Sequence, residues 1–174
     1  MTDQKRIQQI KESQKAPMTF DDYSNYFFFI FPLAFIAMGL SLVYNYFKFH
    51  TELTILLASV FLLALGSFIF YFTTKRLREN ITFERVDMKA NETIESIVEK
   101  IKINFKLRGI DFDKELGLIV AYTKWTGLSW GEKLTLIIDK KSILINSRPT
   151  GVRQPVTIYK DKENIFRLKE IIAQ

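Results

Sequence analysis

Two long uncharged runs limit what this chain can fold into more than any other feature. The first, Tyr26 to Phe47, reads YFFFIFPLAFIAMGLSLVYNYF; the second, Leu53 to Thr74, reads LTILLASVFLLALGSFIFYFTT. Each is about 22 residues, or about 33 Å of α-helix, against a bilayer hydrocarbon core of about 30 Å. Enclosing two such helices in a soluble core would take far more apolar chain than the 174 residues supply. The expectation is a transmembrane hairpin at 26–74, with spans 26–47 and 53–74. Tyr23, Tyr26, Tyr44 and Tyr46 flank the first span and Tyr71 lies near the end of the second, as headgroup-level anchors do. Pro32 falls near a helix start, where a missing N–H does least harm. The small residues Ala34, Ala37, Ser41, Ser59 and Gly66 predict where the two backbones approach. Neither span contains an ionisable side chain that would mark a proton relay or an ion path.

The flanks set the orientation. Lys5, Arg6, Lys11 and Lys15 precede the first span, and Lys75, Arg76 and Arg78 follow the second, whereas the five-residue KFHTE connection holds one Lys. The positive-inside rule puts both termini in the cytosol and the tight turn, with His50, outside. The sequons at Asn80 and Asn91 then face the wrong compartment and are read as chance. The first span is too long for a signal-peptide core and is expected to remain as an anchor. The expected setting is integral to a membrane, of the bacterial inner-membrane kind.

Charge divides as unevenly as hydropathy. Of 25 Lys and Arg, twenty follow residue 74 and face 14 Asp and Glu there, so the net +6 belongs to the C-terminal part. A basic domain tethered to a bilayer is attracted to anionic headgroups by about 1 kcal/mol per Lys or Arg near the surface. Only Lys75 to Asn80 separate the second span from the first possible strand, so the tether is short. The basic residues are interleaved with acids and form no arm, so nucleic acid is not the expected partner. With no Cys and one His, disulfides, thiolate catalysis and multi-His or Cys-ligated metal sites are excluded within the chain.

Residues 1–25 read as a cytosolic tail and 75–174 as a cytosolic α+β domain. Residues 81–86 suggest a strand. Asn91 is a plausible helix N-cap, and Ile94, Ile97, Val98, Ile101 and Phe105 form one apolar face, with Gly109 closing the helix. Leu116 to Trp125 reads as a central strand, Glu132 to Asp139 alternates, and Ile143 to Ile145 follows a turn at Asp139–Ser142. A short strand at Val156–Ile158 and a final helix carrying Ile165, Leu168, Ile171 and Ile172 complete the pattern. The expected fold is β-α-β-β-β-α: an antiparallel meander with two helices on one face.

Three surfaces could carry function. The 147–155 loop, SRPTGVRQP, brackets a glycine with two Arg, and Arg148, Thr150, Gly151 and Arg153 suit a phosphate, a carboxylate or a lipid headgroup. It lacks the glycine count and the Lys-Ser/Thr ending of a P-loop. The hairpin tip at 124–131 holds both tryptophans, and Trp125, Leu128 and Trp130 make a candidate contact surface. Asp111, Asp113 and Glu115 alternate as cation ligands can, although an EF-hand frame is absent and a solvated turn is the simpler reading. No nucleophile stands beside a base in a recognisable frame, so no catalytic residue, cofactor or metal is expected. The leading expectation is an accessory or assembly subunit whose domain binds a protein partner, or a further copy of itself, at the membrane surface. The alternative is a ligand-responsive sensor or effector that takes an anionic, phosphorylated ligand or anionic lipid through the 147–155 loop.

Overall fold

The computed structural model describes residues 3–50, 52–89, 92–125, 131–150 and 160–173. The chain divides into two compact units, one made of 20–77 and the other of 1–19 together with 78–174.

The first unit is the helical hairpin. Helices α2 (Phe20–Ser24) and α3 (Ile30–Phe49) are joined by a 3-10 turn at Asn25–Phe29, and α4 runs from Leu53 to Ile81. His50 ends α3 in the left-handed conformation, φ 47° and ψ 46°. The helices meet along a seam of small residues, as apolar helices do when no water drives them together. Ser59, Gly66 and Thr73 are the buried positions of α4 within this unit's apolar stretch, spaced by seven, and Pro32 and Gly39 answer them on α3 with the same spacing. A Cβ on Gly39 would stand 2.8 Å from Leu63 Cγ, and one on Gly66 would stand 2.9 Å from the Pro32 carbonyl oxygen. Gly66 and Ser59 thus serve as expected, but Ala34, Ala37 and Ser41 do not: they lie on the exposed side of α3. Glycine permits the close approach, and the alanines lie on a different arc of the same helix.

In the second unit the described residues form a five-stranded antiparallel sheet, ordered β1-β5-β4-β3-β2. The strands are β1 (Glu84–Asp87), β2 (Leu107–Asp113), β3 (Leu118–Thr123), β4 (Glu132–Asp139) and β5 (Ser142–Pro149). Strands β2 to β5 form a meander, and β1 closes the far side against β5. Helices α5 (Ile94–Asn104) and α6 (Lys160–Ala173) pack on one face, where Ile97, Ile101, Ile119, Leu134, Ile143 and Leu168 are fully buried. Lys100 joins the two helices, pairing with Glu92 and donating to the Ile171 carbonyl at 3.1 Å.

Several expectations are corrected here. Helix α5 is capped by Thr93, whose hydroxyl accepts from the Ser96 N–H, and it ends at Asn104 with Phe105 already extended. Asn91, the expected cap, lies outside the described residues. Gly109 does not close a helix; it stands in β2, at a register shift between Leu107 and Gly109. That irregularity interrupts the alternation that would have announced the strand, and Lys102, Lys106 and Arg108 imitate a helix end. Strand β5 continues through Pro149, and the expected strand at 156–158 lies outside the described residues.

The other face of the sheet is also covered. Residues 3–13 of the expected tail form helix α1 (Asp3–Ser13), which buries Ile7 and Ile10 against Phe83, Ile137 and Leu144. The chain leaving α1 pairs with the chain leaving α4: Ala16 N–H donates to the Ile81 carbonyl and Phe83 N–H to the Gln14 carbonyl, both at 2.8 Å. Arg85 ties α1 to the β4–β5 turn, donating to the Lys11 carbonyl, Asp139 Oδ2 and Ser142 Oγ. Two helices therefore lie on one face, as expected, and a third on the opposite one.

Candidate functional site: a basic row on the second face of the sheet

In a strand, alternate side chains share a face. On the face that carries α1, β3 presents Leu118, Val120 and Tyr122; β4 presents Ile137, Thr135 and Lys133; β5 presents Leu144, Asn146 and Arg148. Cross-strand pairing sorts them into rows. The row Leu118–Ile137–Leu144 is apolar and lies under Ile7 and Ile10. In the middle row, the Asn146 amide donates to the carbonyls of Asn80 and Thr82, at 3.2 and 2.7 Å. The last row is Tyr122–Lys133–Arg148, three strands abreast.

That row is positively charged and partly enclosed. Lys133 and Arg148 stand directly opposite each other, a placement that costs stability for like charges. Arg6, one residue before the Ile7 anchor on α1, lies near enough to act on Lys133. Burial, and then the charges of Arg148 and Arg6, hold the Lys133 ammonium below the ordinary lysine range. At the outer side, the Arg108 guanidinium lies over the Tyr122 ring, 5.9 Å from its centroid. Among the described residues neither Arg6 nor Lys133 forms an ion pair with a carboxylate, although salt bridges are common elsewhere on the unit. Glu132 is next to Lys133 in sequence but belongs to the opposite face, where it is buried.

The expected site residues are distributed differently. Arg148 lies in β5, half-buried in this row, rather than in a loop. The Thr150 N–H and hydroxyl both go to the Gly131 carbonyl, at 3.1 and 3.0 Å, so its role there is to close the sheet end. Gly151 and Arg153 lie outside the described residues, as do Leu128 and Trp130. Trp125 is 61% exposed at the end of β3. Its ring passes close to Gly131, which at φ 90° has no room for a Cβ against the Thr123 carbonyl. Asp111 and Asp113 are strand residues of β2. Asp113 Oδ1 accepts from the N–H groups of Glu115 and Leu116, which makes it the organiser of the turn after β2. Among the described residues no three His, Cys, Asp or Glu side chains converge as metal ligands.

Arg6, Arg108, Tyr122 and Lys133 are the members that sequence reasoning missed. One signal was present: the two-residue turn Lys140–Lys141, with Lys140 at φ 56°, fixes the β4–β5 register and so sets Lys133 opposite Arg148. Compared with models of known families, with curated proteins and with solved structures, the chain matches none.

Proposed function

We propose that this chain is a membrane-anchored, non-catalytic accessory subunit, with both termini in the cytosol and a sheet unit that docks a partner protein at the membrane surface. The observation that carries the reading is the composition of the sheet unit. Helix α1 and strands β1–β5 belong to one compact body, so the chain before the hairpin and the chain after it share one side of any bilayer the hairpin crosses. This supports an even number of crossings, and the Lys and Arg at both hairpin ends favour the cytosolic side. The most apolar 18-residue windows within Asp22–Phe49 and Leu53–Ile81 have mean hydropathies of 2.2 and 2.5, with 11% of each window buried within the protein. Phe31, Leu57, Phe61 and Phe68 remain more than half exposed, a surface that suits lipid chains. The exposed Trp125 supports a contact surface on the sheet unit.

The chain has no native Cys, which makes labelling direct. Single cysteines at Thr2 and Gln174 are expected to be shielded from a membrane-impermeant thiol reagent in intact cells, and one at His50 to react. Labelling at either terminus overturns the topology. Co-purification in mild detergent tests the docking role, and Trp125→Ala is expected to weaken recovery of the partner. Recovery of a partner-free monomer at native expression level removes the accessory reading.

A second reading is favoured by one specific observation, the Lys133–Arg148 pair with Arg6 beside it. In it the sheet unit binds an anionic ligand and acts as a sensor or effector.

A further inference from the structure

We propose that β2, an outer strand of the sheet, pairs antiparallel with β2 of a second copy of this chain about a two-fold axis through Ile110, joining two five-stranded sheets into one. The pairing needs no other protein and no particular side of a membrane, so it stands or falls apart from the accessory reading.

A strand at a sheet edge leaves the N–H and C=O groups of alternate residues without a neighbour, and proteins blunt such edges by shortness, proline, bulges or a covering element. The two edges of this sheet differ. Strand β1 is four residues long, and Lys169 of α6 pairs with its Glu84. Strand β2 is seven residues long, contains no proline, and among the described residues has only β3 beside it. Its register shift lies between Leu107 and Gly109, so Gly109 to Asp113 keep an unbroken register against β3.

What this edge displays selects the occupant. Basic Arg108 comes early in β2, acidic Asp111 and Asp113 come late, and all three are exposed. An antiparallel copy therefore brings the acidic end of one strand to the basic end of the other, at two symmetry-related places. With the axis at Ile110, Gly109 of one copy stands directly opposite Asp111 of the second copy. Asp111 lies on the α1 face, paired with Val120, and Arg108 is turned to the same face over the Tyr122 ring. A Cβ at Gly109 would meet nothing within 4 Å beyond its chain neighbours, so the arriving carboxylate has room and finds Arg108 beside it. Among the described residues neither Arg108 nor Asp111 forms an ion pair within its own chain. On the opposite face Ile110 is half-buried and Phe112 is 46% exposed. The axis sets Ile110 against its own copy with Phe112 on the diagonal, a spacing that aromatic side chains span. Moving the axis to Asp111 would oppose that carboxylate to itself, which like charges resist.

The test uses the detergent-solubilised full-length chain, with micelles in excess, and energy transfer between copies that carry donor or acceptor dye on a single cysteine at Gln174. The otherwise unaltered chain is expected to give transfer that falls on dilution. Arg108→Asp alone sets acid against acid at both ends of the pairing, and Asp111→Arg alone sets base against base. Each is expected to weaken self-association about tenfold. An equimolar mixture of the two variants is expected to restore transfer, because every contact between positions 108 and 111 of unlike copies is again between opposite charges. A variant that had merely unfolded would not be rescued in this way. Amide exchange is the second readout: residues 109–113 are expected to slow as protein concentration rises through the association midpoint, with α5 unchanged. The proposal is overturned if the unaltered chain gives no transfer, if exchange in β2 ignores concentration, if both variants associate as well as the unaltered chain, or if the mixture pairs no better than either variant alone. A monomer would leave the edge to an extended segment of a different protein.

Discussion

Helix α1 is held on the sheet by few groups, which makes its docking measurable. Ile10 is 5% exposed and Ile7 8%, both against the Phe83–Ile137–Leu144 patch. Burying an Ile side chain contributes about 1.5–3 kcal/mol. Ile10→Ala keeps the best helix former at the position, so the helix itself is spared and the loss falls on docking. A loss of about 2 kcal/mol shifts the docked–undocked equilibrium about thirtyfold, at 1.4 kcal/mol per decade. Amide exchange of residues 3–13 in the detergent-solubilised full-length chain is expected to accelerate by about that factor. Exchange in α5, whose Ile97 and Ile101 are fully buried on the other face, is expected to hold. Gln9→Ala, at an exposed position of the same helix, is the matched control and is expected to change nothing. Unchanged α1 exchange in Ile10→Ala refutes the anchoring. Equal acceleration in α1 and α5 refutes the view that α1 opens separately from the core. The same packing bears on fragment design: residues 78–174 alone lack the cover of Phe83, Ile137 and Leu144, and are expected to melt lower and aggregate more than the full-length chain.

In the hairpin, Gly66→Ala is expected to destabilise by about 1–3 kcal/mol despite the better helix propensity of Ala, because the added methyl meets the Pro32 backbone at 2.9 Å. A lower midpoint in SDS titration of the detergent-solubilised protein is the measure, and a stabilised variant would show that the helices do not pack along this seam. Lys100→Ala is expected to cost about 2–3 kcal/mol in thermal or urea unfolding, since it leaves the Glu92 carboxylate and the Ile171 carbonyl without their donor; Glu92→Ala with Lys100→Ala should cost less than the sum of the two. The depressed Lys133 ammonium makes a pH prediction whose direction follows from proton counting. The unfolded chain holds that proton more tightly than the folded one, so this group's penalty is present at neutral pH and is relieved as pH rises through its lowered folded value towards 10.5. Lys133→Met is expected to gain stability at neutral pH and to lose that alkaline increment in thermal melts followed by circular dichroism.

What could be read from sequence depended on how far apart the cooperating residues lie. The hairpin was legible because a lipid-sized run of uncharged residues is a local signal, and β4 because Leu134, Leu136 and Ile138 alternate without interruption. Strand β2 was obscured by the register shift at Gly109 and by the basic residues before it. Helix α1 offers two apolar positions in eleven residues, too few to set apart from a soluble tail, and its partners lie more than seventy residues away. The basic row was hidden for the same reason. Lys133 and Arg148 are fifteen residues apart and meet only through a hairpin register, and Arg6 joins them only through tertiary packing. Arg148 was noticed for its loop, and the structure moves it into a strand with different neighbours.

The division of the sheet unit around the hairpin also orders the events of synthesis. Residues 3–13 are made before the hairpin, and Ile137 and Leu144, which receive Ile7 and Ile10, after it. Between them the ribosome must deliver both apolar runs, so under the proposed topology α1 waits undocked in the aqueous phase while the hairpin is inserted. An amphipathic helix of eleven residues with two isoleucines is a weak folding unit on its own. Under that topology its docking is a late checkpoint, reached only when insertion has returned the chain to the side where α1 was left. A hairpin inserted with a single crossing would leave α1 and β4 on opposite sides of the bilayer, with Phe83, Ile137 and Leu144 open to solvent. Quality-control proteases that recognise exposed apolar strands would then have a direct signal of failed topology.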